Sequence, residues 1–192
     1  MTYTHRCAAA SFLALALGLS LAPAVHAQAQ AQPQAPLATI AALDVARYMG
    51  TWHEVARYPN VFQRRCAADT SARYTLQADG RVEVLNRCRT AEGEMIEALG
   101  EARQQGAADS PRLKVRFAPA WLSWLPLVWG DYWVIDLDDA YRLVAVSEPG
   151  RDYLWVLSRT PQVDAAAYDA LVGRLAAQGF DLKRLERSPA RP

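Results

Sequence analysis

Residues 49–58 read Met-Gly-Thr-Trp-His-Glu-Val-Ala-Arg-Tyr, and the architecture of the chain can be worked outward from them. Gly50-Thr51 breaks what precedes. From Trp52 the side chains alternate, with Trp52, Glu54, Ala56 and Tyr58 on one face and His53, Val55 and Arg57 on the other. A period of two over this length is the pattern of a β-strand. A tryptophan at its start is placed to plug the end of a small barrel around which later strands wrap.

The rest of the chain supplies those strands. Leu37 to Tyr48 has room for a helical turn, and the strand at 50–58 stops at Tyr58-Pro59-Asn60, since proline cannot donate to a ladder. A second strand at 67–78 and a third at 81–88 flank Asp79-Gly80, a tight hairpin signal. Further strands are expected at 94–104, 112–117, 131–137, 141–147 and 152–159. The segment at 112–117 alternates cleanly, Leu113, Val115 and Phe117 against Arg112, Lys114 and Arg116.

The last strands differ because both faces are apolar. Tyr153, Trp155 and Leu157 oppose Leu154 and Val156, and Leu143 and Ala145 oppose Val144 and Val146. Such strands need cover on the outside as well as the inside. Asp164 can cap a helix in which Tyr168, Leu171, Val172 and Leu175 recur at helical spacing before Gly179 stops it. The reading is all-β: an eight-stranded antiparallel up-and-down barrel with one C-terminal α-helix packed outside.

Upstream, a short basic start (His5, Arg6) leads into an apolar run from Ala8 to Ala22, with Val25-His26-Ala27 offering small residues for cleavage. Residues 1–27 are therefore expected to be a secretory signal peptide, the run being short of the ~20 residues that a membrane span needs. Residues 28–40, rich in Gln, Ala and Pro at their start, form a flexible leader; 41–187 form the domain and 188–192 a tail.

Cys7 leaves with the signal, so the mature chain keeps Cys66 and Cys88, and an even count in an exported protein reads as one disulfide. The hairpin at Asp79-Gly80 brings both to the same rim, where a bridge is worth about 3 kcal/mol. Hairpin register does not set them directly opposite, so a bulge or loop residues must complete the geometry.

Without Arg6 the chain carries 20 basic and 20 acidic residues, a balance that gives no electrostatic case for nucleic acid or an anionic surface. The sequence offers no Gly-rich phosphate loop, nucleophile elbow or His pair at metal spacing. After signal removal His53 is the one histidine left, and it falls on the outer face. No catalytic residue, metal site or cofactor is assigned.

Four stretches carry a resemblance: G-T-W-H-E-V-A-R-Y (50–58), A-R-Y-T-L-Q-A-D-G-R-V-E-V-L-N-R-C (72–88), G-D-Y-W-V-I-D-L-D-D-A-Y-R (130–142) and R-D-Y-L-W-V-L-S-R-T-P (151–161). Together they resemble the bacterial lipocalins, relatives of apolipoprotein D and the plant temperature-induced lipocalins, over about 43–187. The resemblance implies a barrel open at one end that holds a fatty acid or lysophospholipid, with Arg159 lying over Trp52 at the closed end beside Gly50. It also implies that Phe62, Trp129 and Trp155 line the mouth and pocket. The best-known bacterial members are outer-membrane lipoproteins, whereas this chain has no cysteine directly after the apolar run to carry the lipid. Anchoring is not carried over, and a periplasmic lipid-binding protein, monomeric or homodimeric, is expected.

Following the alternation, the interior is expected to present Ala56, Tyr58, Thr70, Ala72, Tyr74, Val84, Asn86, Ile96, Ala98, Val115, Phe117, Tyr132, Val134, Tyr153 and Trp155. Small residues facing large aromatics leave room for a single acyl chain. Trp121 and Trp124 sit in a loop broken by Pro119 and Pro126 and form either a lid or a membrane-docking tip. Arg64, Arg65, Arg89 and Arg151 are candidates to ring the mouth. The alternative from another class is an enzyme on the same fold that acts on a lipid.

Overall fold

The computed structural model describes residue 2 and residues 35–189; the expected signal segment apart from Thr2, most of the leader and residues 190–192 lie outside the described residues. In chain order come α1 (Val45–Tyr48), β1 (Gly50–Arg57), β2 (Ala68–Leu76), β3 (Val82–Arg89), β4 (Met95–Gln104), β5 (Arg112–Arg116), β6 (Gly130–Leu137), β7 (Leu143–Ser147), β8 (Leu154–Ser158), α2 (Ala165–Ala177) and β9 (Glu186–Arg187).

β2 to β8 pair in sequence, β8 pairs with β1, and β1 returns to β2, which closes an antiparallel barrel of eight strands. The closure is partial along β1. Its first half pairs with β2, from Gly50 opposite Tyr74 to His53 opposite Ser71. Its second half takes the short β9 instead, with Ala56 opposite Arg187 and Arg57 opposite Glu186. The sequence reading did not anticipate β9, which is too short to show a period.

Two apolar layers follow from the alternation. The inner one includes Tyr48, Trp52, Tyr74, Val84, Val134, Val144, Val146 and Leu157. The outer one joins Leu143, Ala145, Leu154 and Val156 to Leu171, Leu175 and Phe180. This is the cover that the doubly apolar strands required: Leu171 and Leu175 are fully buried, worth about 1.5–3 kcal/mol each. Asp164 caps α2 by accepting the Ala167 N–H at 2.9 Å. Arg174 of α2 grips Asp136 of β6 with two bonds of 2.6 and 2.9 Å. Leu37 is buried in the same outer layer, so packing begins inside the stretch expected to be leader.

A β-bulge corrects the expected facing in β1. Glu54 lies opposite Leu157 and Ala56 opposite Val156, so one extra residue is accommodated between them. Val55 and Ala56 therefore both face outward, and every residue after them changes face. Ala56 and Tyr58, expected inside, pack in the helix-side layer instead. Arg57, expected outside, lies opposite Trp155 and shares its inward face. A matching irregularity in β6 turns Ile135 and Asp136 outward toward α2.

Candidate functional site: the barrel interior

The closed end is built on Trp52, which is fully buried and donates its indole N–H to the Tyr48 carbonyl at 2.8 Å. The Arg159 guanidinium lies 3.9 Å from the centroid of that ring. It also donates to the carbonyls of Arg47 (2.7 Å), Thr51 (3.2 Å) and Tyr141 (3.2 Å), tying three segments across the floor. A cation over an indole face is attractive in its own right. Gly50 is required here: its φ is +95°, and a Cβ would come within 3.2 Å of Arg159 Nη1.

Above the floor three phenols form a chain. The hydroxyls of Tyr48 and Tyr132 are 2.7 Å apart and those of Tyr74 and Tyr132 2.9 Å. Burial pushes all three above the usual tyrosine value, Tyr74 to about 12, so they stay neutral at physiological pH.

Higher up the lining opens. Pairing runs Ala72–Asn86–Ala98 across β2, β3 and β4, and Ile96 lies opposite Cys88. Asn86, Ile96, Val115, Tyr132 and Trp155 face inward yet are only half-buried, whereas Val84, Val134 and Val144, and Val146 opposite Trp155, are buried. Phe117 lies across Gly100 at the rim of β5, where a Cβ on the glycine would come within 2.7 Å of its ring. Phe62, Tyr153 and Trp155 form an aromatic ladder at the mouth, with centroids 5.5 and 5.8 Å apart.

That ladder depends on the loop between β1 and β2. Asn60 caps its turn by accepting the N–H groups of Phe62 and Gln63, each at 3.1 Å. Gln63 accepts the Trp155 indole N–H at 2.9 Å. Cys66 closes the loop onto β3 through a disulfide to Cys88, with Cα atoms 5.4 Å apart. Loop residues supply the geometry that the hairpin register lacks, because the ladder ends with the Ala67 N–H on the Arg89 carbonyl.

Not every expected residue is in the interior. Trp129 is on the outer wall: Asp131 and Lys114 pair beside it, and the guanidiniums of Arg103 and Arg116 stand 4.1 and 5.2 Å from its ring. Its neighbour Gly130 lies opposite the inward Val115, so the alternation sends Trp129 the other way. Among the mouth arginines, Arg151 is bound to the Gln178 and Ala35 carbonyls, and Arg89 to Asp69 and the Gly93 carbonyl. Arg64 and Arg65 are exposed at the open end. Trp121 and Trp124 are 73% and 74% exposed, so neither ring folds down as a lid, and Leu127 beside them is 96% exposed.

Glu54, on the same strand face as Trp52, is bound by its neighbours. Its buried carboxylate accepts from Arg57 (2.5 Å), Gln63 (2.5 Å) and Ser188 (2.7 Å). It thereby joins β1, the mouth loop and the segment after β9. Among the described residues no group of three or more His, Cys, Asp or Glu side chains is placed to hold a metal ion.

Comparison with known proteins agrees with this geometry. The family model described as a lipocalin-like domain matches residues 43–190. Temperature-induced lipocalin-1 of Arabidopsis thaliana is 38% identical over 155 residues, covering 80% of this chain and 82% of the relative. Outer membrane lipoprotein Blc of Escherichia coli K12 is 34% identical over 153 residues, covering 79% and 82%. Insecticyanin of the tobacco hornworm Manduca sexta superposes with a TM-score of 0.61 at 15% identity, covering 79% of this chain and 82% of its own, a likeness of fold alone. A closed eight-stranded barrel, an outer helix after β8 and a match that takes in every strand lead to one conclusion: this chain belongs to the lipocalin family.

Proposed function

We propose that the protein is an exported carrier, released from its signal segment into the periplasm, that holds one acyl chain in the upper barrel. The guest is a fatty acid or a lysophospholipid, handled in maintenance of the cell envelope and not chemically altered. The observation that carries this reading is the contrast along the barrel axis: a sealed floor at Trp52 and Arg159, and an apolar upper wall whose inward side chains stay half-accessible. A wall of this kind, interrupted by a few polar groups, suits a single hydrocarbon chain. The likeness to Outer membrane lipoprotein Blc and to Apolipoprotein D of Mus musculus, 29% identical over 149 residues, supports a lipid-handling role.

Titration with oleate or a lysophospholipid should quench tryptophan fluorescence saturably, and Trp155→Ala should weaken binding by about tenfold or more, roughly 1.4 kcal/mol. Absence of a saturable change refutes the carrier reading. Mass spectrometry of the lipid before and after incubation separates carriage from catalysis.

A second element of the reading concerns the open end. The exposure of Trp121, Trp124 and Leu127 on one loop favours contact with a lipid surface over a lid. Loss of liposome co-flotation in a Trp121→Ala/Trp124→Ala variant supports this contact, and undiminished flotation refutes it.

A further inference from the structure

The bulge in β1 has turned a cation toward the inside of the barrel. Arg57 lies opposite Trp155 on the inward face, and its side chain is 17% exposed. Among the described residues its guanidinium has one partner, the Glu54 carboxylate, which takes Nη1. Glu54 is itself 1% exposed and held by three donors, and it engages Nη1 of the guanidinium without occupying the rest of it. The Nε–Nη2 edge is left without a protein acceptor.

That edge is the fork that accepts a carboxylate or a phosphate through two parallel hydrogen bonds. A hydroxyl or ester oxygen in the same place takes only one bond, without the charge. The position also fits, because Trp155, which lies opposite Arg57, belongs to the aromatic ladder at the mouth. A bulge that re-aims one side chain into a cavity is a recurrent device beside binding sites.

We propose that Arg57 is the head-group anchor of the barrel, binding the anionic oxygens of a lipid carboxylate or lysophosphate while the chain runs down toward Tyr132. This rests on the carrier reading and adds to it a choice of head group. It also gives Glu54 a task as a positioning residue: it holds the fork open toward the lumen and keeps an unpaired cation from being buried in the empty protein.

The test compares oleate with oleyl alcohol, which share a chain and differ in the head. The unmodified protein should bind oleate about tenfold or more tightly than the alcohol. Arg57→Gln with Glu54→Gln, which removes both charges together and leaves no lone buried ion, should abolish that preference, bringing the two affinities within about twofold of each other. Arg57→Lys, which keeps the charge and loses the fork, should retain only part of the preference. Equal affinity of the unmodified protein for oleate and oleyl alcohol overturns the anchor and leaves the carrier standing. A preference that survives in the double variant also overturns it. Absence of saturable binding by either probe overturns both readings.

Discussion

Raising the pH above about 10 should destabilise this protein through the chain of phenols at Tyr48, Tyr132 and Tyr74. In an unfolded chain a tyrosine gives up its proton near pH ~10. Inside the barrel, burial holds Tyr74 protonated to about 12 and Tyr48 and Tyr132 well above the ordinary value. Above the unfolded value the unfolded state binds fewer protons than the native one, so stability falls as pH rises. The contribution is complete below pH ~10 and is lost progressively toward the folded value. At about pH 11 the loss through Tyr74 alone is on the order of 1 kcal/mol, one tenfold step in proton affinity. Tyr48 and Tyr132 act in the same direction, against the ~5–15 kcal/mol that typically holds a domain together. Urea midpoints followed by tryptophan fluorescence at about pH 8 and about pH 11 measure the effect directly. Tyr132→Phe, which removes the central phenol, should make the pH dependence shallower. An unchanged midpoint between the two pH values, or tyrosinate absorbance from these residues developing while the barrel is still folded, would refute the reasoning.

Three further outcomes are expected. Leu171→Ala, at a fully buried position between α2 and the barrel, should cost about 2–5 kcal/mol in urea unfolding while oleate binding persists. Gly50→Ala forces a side chain onto a backbone at φ +95° and toward Arg159, and should lower stability by about 1–2 kcal/mol in the same assay. Cys66→Ser with Cys88→Ser removes a bridge across 22 residues and should cost about 3 kcal/mol; it should also weaken lipid binding by freeing the loop that carries Phe62 and Gln63.

Much of the architecture could be read from the chain because it depends on local pattern. Alternation at 112–117 and the doubly apolar runs at 141–147 and 152–159 announce strands and say which of them need cover. The capped helix that follows supplies that cover, and its boundaries follow from Asp164 and Gly179. Pairing Cys66 with Cys88 needed only their count and the hairpin between them.

The limits of that reading are equally physical. Period-two reasoning assumes an unbroken ladder, and a single extra residue reverses every side chain beyond it. Nothing in Glu54-Val55-Ala56-Arg57 announces the bulge, because each of those residues is at home in a strand; only pairing with β8 forces it. The same holds for Trp129, whose large ring suited a pocket by composition but whose register against Val115 put it on the outer wall between two arginines. The amino-acid order by itself thus determined a capped, helix-backed barrel with a tryptophan at its closed end. Which charged side chains turn into the barrel was decided only when strands distant in sequence met and fixed the phase of their ladders.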